Sequence, residues 1–274
     1  MHTRTLRTFI QTVAATSLVL LATSNTFAQN PWADAVVSYE AGADVDPAYT
    51  NPDTTLGEPS RMTGSGSWVG AVTPFNAPWM SDQLVSVGAG GHLTVSFDEP
   101  ITNDPAHAFG ADLIIFGNAF FGDASWPDGQ VSGLFEDGPF TISVSADGTS
   151  FTPLAETFND GLFPTLGYQD LTGPYDANPG SVPSDFTKPV DPGLTMTDFD
   201  DRSFDDIVAL YDGSGGGIPV DIASAGLDEV FYVRIDVPAG ATSPEFDAFA
   251  TVPEPAALLL FGSIALFGAL RRGR

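Results

Sequence analysis

Short runs in which hydrophobic and polar residues alternate, or β-branched residues cluster, recur along most of the chain and predict β-strands. Gly, Pro, Asn and Asp separate these runs, as they do at turns between strands. Several short strands with turn residues between them predict an all-β fold, a jelly-roll β-sandwich. The predicted strands cover residues 35–40, 84–87, 92–97, 112–116, 140–145, 151–154, 230–237 and 246–252.

The run at 113–115 is apolar without interruption, which predicts a strand that is buried on both faces. Two other segments, 117–138 and 164–202, are dense in Pro, Gly and Asp and predict long loops. Loops of this length in a compact domain usually serve a function when they are ordered.

One short helix is predicted between residues 204 and 211, where apolar residues recur at helical spacing. Ser203 is the expected N-cap, Asp206 follows it by three residues as in a capping box, and Gly213 is the expected stop.

The C-terminal stretch from 256 to 270 contains fifteen consecutive uncharged residues. A helix that crosses the bilayer core needs about 20 residues, so this C-terminal hydrophobic helix is marginal as a permanent span. We expect it to begin near Pro255, and Arg271, Arg272 and Arg274 to hold its end on the cytoplasmic side.

The N-terminus has the features of a secretory signal. Arg4 and Arg7 precede an apolar run at 13–22, and small residues around Ala28 match a signal-peptidase site. We expect residues 1–28 to be removed on export through the inner membrane, which leaves Gln29 first. The alternative is a buried N-terminal helix.

The motif Val252-Pro253-Glu254-Pro255, followed by the apolar segment and the arginine cluster, resembles the PEP-CTERM sorting signal of bacterial surface proteins. The resemblance covers residues 252–274 and implies processing by an exosortase, a membrane enzyme. It also implies transient inner-membrane association and a final place at the cell surface or in the extracellular matrix. The β-sandwich domain then spans residues 29–251.

The chain is strongly acidic, with 35 Asp and Glu, nine Lys and Arg, and a formal net charge of −26. Such a surface repels nucleic acid and anionic lipid, so we expect no nucleic-acid partner. Cysteine is absent, which excludes thiol catalysis and metal sites built on cysteine.

The body resembles galactose-binding-like jelly rolls, including discoidin-type domains. The strongest motif is SVSADGTSF, in which Asp147-Gly148 between alternating strands also predicts a hairpin. The resemblance implies that the first and last strands pair at one end of the sandwich. It is carried by SVSADGTSF (143–151), YVRID (232–236), FDAF (246–249), DTTLGEP (53–59), GGHLTVSF (90–97) and PVDI (219–222).

Pairing of the first and last strands predicts a calcium site. Clustered carboxylates repel one another, and Ca²⁺ takes six to eight oxygen ligands, so an ion relieves that repulsion. The alternative is a solvated acidic turn. The predicted ligands are Glu40, Asp44, Asp46, Asp53 and Asp247.

Trp68, Trp79 and Trp126 lie among Gly, Ser and Pro, and therefore in loops. Exposed, they are candidates to stack on sugar rings; the alternative is that they close the end of the sandwich. No HExxH, GxSxG or SxxK motif occurs. The sequence favours a secreted, surface-sorted, non-catalytic matrix or carbohydrate-binding module whose partner is extracellular polysaccharide. The alternative is a glycan-active hydrolase with an Asp/Glu pair.

Overall fold

The computed structural model describes residues 30–159 and 161–254. The predicted signal peptide, Pro255, the C-terminal hydrophobic helix and the three terminal arginines lie outside the described residues. Within the described ranges, no helix is both long and apolar enough to cross a membrane.

Thirteen β-strands lie in the described part of the chain. They are β1 (Ala35–Glu40), β2 (Met62–Thr63), β3 (Gly70–Ala71), β4 (Val85–Ser86), β5 (His92–Thr102), β6 (Leu113–Gly117), β7 (Phe120–Asp123), β8 (Val131–Phe135), β9 (Phe140–Ser145), β10 (Thr152–Phe158), β11 (Ile218–Val220), β12 (Glu229–Asp236) and β13 (Glu245–Thr251). There are two α-helices, α1 (Met196–Phe199) and α2 (Phe204–Tyr211).

Two antiparallel sheets pack face to face, which confirms the predicted all-β sandwich. One sheet has five strands in the order β1-β5-β12-β9-β10, and the other has four in the order β11-β6-β13-β4. Two small hairpins, β2-β3 and β7-β8, lie outside these sheets. The apolar faces of the two sheets form a common core, because each sheet has to bury one face.

The four-stranded sheet is buried on both faces, as the run at 113–115 predicts. In β6, Leu113 and Ile115 face the five-stranded sheet, whereas Ile114 and Phe116 pack on the opposite side against Phe186. All five residues are at most 1% exposed. Period-two alternation therefore sends β6 side chains into two separate cores.

A third core lies beside the sandwich, where the hairpin β7-β8 packs with α1 and α2. The predicted helix is confirmed: Ser203 and Asp206 form the capping box of α2. The helix ends at Tyr211. Its C-cap, Asp212, adopts the left-handed conformation and lies one residue before the predicted stop, Gly213. The prediction of a single helix is wrong, because α1, a single turn, also forms in the predicted loop 164–202.

Five strands were missed by the pattern: β2, β3, β7, β8 and β11. Four of them have four residues or fewer, and β8 contains Gly133, so none offers a long alternating run. The hairpin β7-β8 forms in the predicted loop 117–138, with Phe121 opposite Leu134. Tertiary packing against α1 and α2 thus decides structure that the local sequence leaves undecided.

The predicted hairpin at Asp147-Gly148 joins β9 to β10, with Thr152 opposite Val144. Its loop is six residues long, from 146 to 151, rather than a two-residue turn. Asp147 holds this loop because its Oδ1 accepts the backbone N–H of Thr149 and of Ser150, each at 2.8 Å.

The expectation that the first and last strands pair is wrong. β1 pairs with β5 in one sheet and β13 pairs with β6 and β4 in the other, so they lie on opposite sides of the core. The residues before β1 do reach β13, where Trp32 forms an isolated antiparallel bridge with Ala250. The chain then crosses from the smaller sheet to the larger one.

A buried aspartate ties β13 to the loop that follows β1. The β13 register shifts at Asp247, between Phe246 and Ala248, and this bulge directs the carboxyl group inward. Asp247 Oδ2 accepts the backbone N–H of Ser60 at 2.7 Å, and Oδ1 accepts the Ser60 hydroxyl at 3.0 Å. Burial raises the pKa of Asp247 to about 7, although both hydrogen bonds oppose the shift.

Replacing Ile114 by Ala should lower the free energy of unfolding by about 2–5 kcal/mol, because the change removes buried methyl groups and leaves a cavity. Ile114 is 0% exposed, whereas Val37 on β1 is 50% exposed. Urea denaturation of Ile114→Ala and of the control Val37→Ala measures both effects. Equal losses in the two variants would show that the outer face of the four-stranded sheet is not a core.

Asp247 should make stability fall with rising pH. The unfolded state loses this proton near pH 4 and the folded state near pH 7, so unfolding releases a proton between these values. We therefore expect wild type to lose about 4 kcal/mol relative to Asp247→Asn between pH 4 and pH 7. Denaturation of both proteins across this range measures the difference, and a difference that does not vary with pH would contradict the prediction.

Candidate functional site

A groove of about 200 Å³ opens beside the β7-β8 hairpin, and we call it the aromatic groove. Its volume is smaller than that of a typical enclosed small-molecule pocket, which is about 300 Å³ or more. Its wall is mostly apolar, with two amide side chains. The lining residues are Phe75, Asn76, Ala77, Pro78, Trp79, Asn118 and Phe120.

Trp79 forms the exposed edge of the groove, with 43% of its surface accessible. Its backbone is fixed on both sides: its N–H donates to the Thr63 hydroxyl at 3.1 Å, and its carbonyl accepts the Tyr49 hydroxyl at 2.7 Å. Gly64 leaves room for the indole, since a Cβ there would lie 3.2 Å from Trp79 Cζ2 and 2.0 Å from the Trp68 carbonyl oxygen. The Trp79 ring is therefore presented from a rigid backbone.

Phe120 supplies the second aromatic wall. Alternation along β7 buries Phe121 in the third core and leaves Phe120 facing outward. Phe135 lies opposite Phe120 on β8, and the two rings stack with centroids 4.9 Å apart. Because Phe135 is 57% exposed, the apolar surface continues from the groove across the hairpin.

Asn118 brings polar chemistry to the groove. Its Nδ2 donates to Glu245 Oε2, and the Ser86 hydroxyl donates to Glu245 Oε1 at 2.6 Å. These bonds fix the plane of the Asn118 amide and leave its Oδ1 as an acceptor. Asn118 is thus an oriented hydrogen-bonding group in the groove that Trp79 and Phe120 also line.

The carboxyl groups behind Asn118 are partly desolvated. Burial raises the pKa of Glu245; the Ser86 and Asn118 hydrogen bonds oppose the shift, and the charges of Asp137 and Asp46 add to it. Burial also raises the pKa of Asp137. Neither carboxyl group lines the groove, but the acidic Glu245 that bonds Asn118 disfavours an anionic ligand there.

The three predicted tryptophans are all exposed, so they do not close the end of the sandwich. Trp68 is 82% exposed and Trp126 is 74% exposed. Trp126 packs against Tyr175, with ring centroids 6.4 Å apart. Of the three, Trp79 lines the aromatic groove.

The predicted calcium ligands do not converge. Asp247 is buried and bonded to Ser60, whereas the other four are exposed along the segment from β1 to residue 53. Asp46 caps the short 3₁₀ helix Pro47–Tyr49 by accepting the Ala48 N–H at 2.9 Å. The physical reason is that the β13 bulge directs the Asp247 carboxyl group inward, whereas the other four carboxylates are exposed. The other three exposed members of the predicted calcium site are Glu40, Asp44 and Asp53.

Two residues of the predicted sorting motif, Val252 and Glu254, contact the sandwich. Val252 is 7% exposed, and its N–H donates to the Asp112 carbonyl at 2.9 Å. Pro253 follows, and Glu254 Oε1 accepts the Thr102 hydroxyl at 2.8 Å. The contacts of β13 with the sandwich therefore continue past the predicted domain boundary at residue 251.

Sequence reasoning missed Asn118, Phe120 and Glu245. The first two lie in a segment that predicts a loop, and Glu245 is one acid among 35. The local signal for Phe120 was the adjacent pair Phe120-Phe121, because strand alternation forces one of two neighbouring aromatic residues outward.

No protein-family model and no curated protein matches the chain. The structure is similar to that of a pectin-binding carbohydrate-binding module, determined in a monoclinic crystal form. The two share 11% sequence identity over 63% of this chain and 73% of that chain, with a TM-score of 0.26.

Proposed function

We propose that this chain is a non-catalytic carbohydrate-binding module that contacts a neutral polysaccharide through the aromatic groove. The observation that carries the proposal is that an exposed indole, an outward phenyl ring and an oriented amide line one groove, in Trp79, Phe120 and Asn118. Pyranose rings present C–H groups on one face and hydroxyls at the edge. Aromatic faces attract these C–H groups, and amide side chains form hydrogen bonds with the hydroxyls.

The shape of the groove favours a polymer. A shallow cleft of about 200 Å³ contacts one side of a ligand and does not enclose it. The exposed ring of Phe135 extends the apolar surface beyond the groove, which lengthens the contact along a chain of sugars. The acidic Glu245 that bonds Asn118 and the net charge of −26 favour neutral over uronate-rich polymers.

The proposed setting is outside the cell. The signal-like residues 1–28 and the PEP-CTERM-like residues 252–274 support export, exosortase processing and a final place at the surface or in the matrix. The order of the motifs within the antiparallel sandwich supports a galactose-binding-like jelly roll. Calcium binding stays a prediction supported by the exposed acids of the segment 40–53.

A second function, a glycan-active hydrolase, is favoured by one observation. Glu245 has a raised pKa and lies close enough to Asp137 and Asp46 to feel their charges, beside a groove suited to sugars. Against it, both Glu245 oxygens accept hydrogen bonds from Ser86 and Asn118, so the carboxylate orients the amide. Most other shifted acids, such as Asp170 and Asp206, have a lowered pKa because turn or cap hydrogen bonds hold them.

Trp79→Ala should weaken binding to a neutral galactan or glucan by about 2 kcal/mol, or about thirtyfold in Kd, because the sugar loses its stacking surface. Trp126→Ala is the matched control, since Trp126 is also an exposed tryptophan in a turn but packs against Tyr175. A glycan array identifies the polysaccharides that wild type binds. Isothermal titration calorimetry with these polysaccharides then measures Kd for both variants. An equal loss for the two variants, or stronger binding to polygalacturonate than to neutral polymers, would contradict the proposed site.

Glu245→Gln separates the two functions. The amide replaces a carboxylate of the same shape, so a binding module should retain its affinity within about threefold if Asn118 is still oriented. A hydrolase would lose turnover by about a hundredfold or more, since a general acid is removed. Release of reducing ends from the same polysaccharides, measured for wild type and for Glu245→Gln, distinguishes the two functions. Turnover that wild type shows and Glu245→Gln lacks would establish the hydrolase and contradict the binding module.

A further inference from the structure

A buried histidine outside the aromatic groove has one nitrogen with no protein partner. The His107 imidazole is fully buried, and its Nδ1 lies 2.8 Å from Asp112 Oδ1. Its Nε2 is buried and has no hydrogen-bond partner among the described residues. A buried polar atom left unpaired costs free energy, so this nitrogen is a candidate ligand atom.

The proton on His107 can be placed from the surroundings of Asp112. Asp112 Oδ1 accepts the Asp104 backbone N–H at 3.2 Å, and Oδ2 accepts the Ile222 backbone N–H at 3.1 Å. Both oxygens therefore act as acceptors, and Nδ1–H of His107 donates to Oδ1. The Nε2 atom is then the nitrogen with the free lone pair, which is the form that binds a metal.

The carboxylates of Glu254 and Asp104 lie near His107. Glu254 Oε1 lies 3.8 Å from His107 Nε2, and the Thr102 hydroxyl holds it there at 2.8 Å. Asp104 completes the group: one possible ligand atom from each of the three residues lies within 4.8 Å of the others. This is the one group of three or more such side chains found within residues 30–159 and 161–254.

We propose that Asp104, His107 and Glu254 bind one divalent transition-metal ion such as Zn²⁺. Two bonds of about 2.1 Å, to nitrogen and to oxygen, span up to about 4.2 Å, so the 3.8 Å between Nε2 and Oε1 accommodates one ion. An imidazole nitrogen favours transition metals over Ca²⁺, which takes oxygen ligands. Asp112 then has the usual outer role, fixing the tautomer and orientation of the metal-binding histidine.

The ion would link two segments of the chain at one end of the sandwich. His107 and Asp104 lie in the loop between β5 and β6, whereas Glu254 follows β13 and begins the segment that leads to the C-terminus. A shared metal links these two segments across the Thr102 contact. Because Glu254 is 52% exposed, the ion keeps a side open to solvent or to a further ligand.

The test is titration of the full, metal-free chain with Zn²⁺ alone. Wild type should bind one ion, and the double variant Asp104→Asn with Glu254→Gln should bind it at least about a hundredfold more weakly. Both changes keep shape and lie outside the buried core, so folding is checked by circular dichroism. The matched control Asp82→Asn with Glu156→Gln removes two exposed acids elsewhere and should bind as wild type does.

Two further measurements identify the ligands. On Zn²⁺ addition, the ¹⁵N signal of His107 Nε2 should shift while that of His92 stays in place, and a tenfold excess of Ca²⁺ should not compete. Unchanged affinity in the Asp104→Asn with Glu254→Gln variant, an unshifted His107 signal, or displacement of Zn²⁺ by Ca²⁺ would each overturn the proposal.

Discussion

Burial of the four-stranded sheet on both faces is the constraint on which the rest of the structure depends. β6 and β13 lie at its centre and send alternate side chains to the sandwich core and to the outer face. Ile114 and Phe116 on that outer face are fully buried. Leaving such a surface in water would cost roughly 25 cal/mol for each Å² of apolar area, so some other part of the chain has to cover it.

The long segment between β10 and β11 provides this cover. Phe186 packs edge to face on Phe116, with centroids 5.2 Å apart, and the Arg61 guanidinium lies 4.1 Å from the Phe186 ring centroid. Gly215 permits the approach, because a Cβ there would lie 2.1 Å from a Phe186 ring carbon. Arg61, which directly precedes β2, also donates to the carbonyls of two residues of the cover, Gly167 and Ser184, and so links the long segment to the β2-β3 hairpin.

The acidic residues fall into two physical groups. Several exposed aspartates cap short helices or hold turns, as Asp147 and Asp170 do by accepting hydroxyl and backbone N–H groups, and these bonds lower the pKa of both. Asp112 and Asp247 are instead buried and Glu245 is half-buried, and burial raises the pKa of each. The first group makes a surface that repels polyanions, whereas the second positions other groups: a histidine, an amide and a loop.

The sequence by itself determined the strand positions of the large sheet, the double burial of β6 and the capped helix α2, because alternation and capping are local signals. It also gave Trp79 as a candidate, but as one of three loop tryptophans of equal standing. Only the tertiary structure placed Phe120 and Asn118 beside Trp79, and His107 beside Glu254, 147 positions later in the chain. Such pairs depend on which strands share a sheet and which loops cover it, and long-range packing decides this where no local pattern records it.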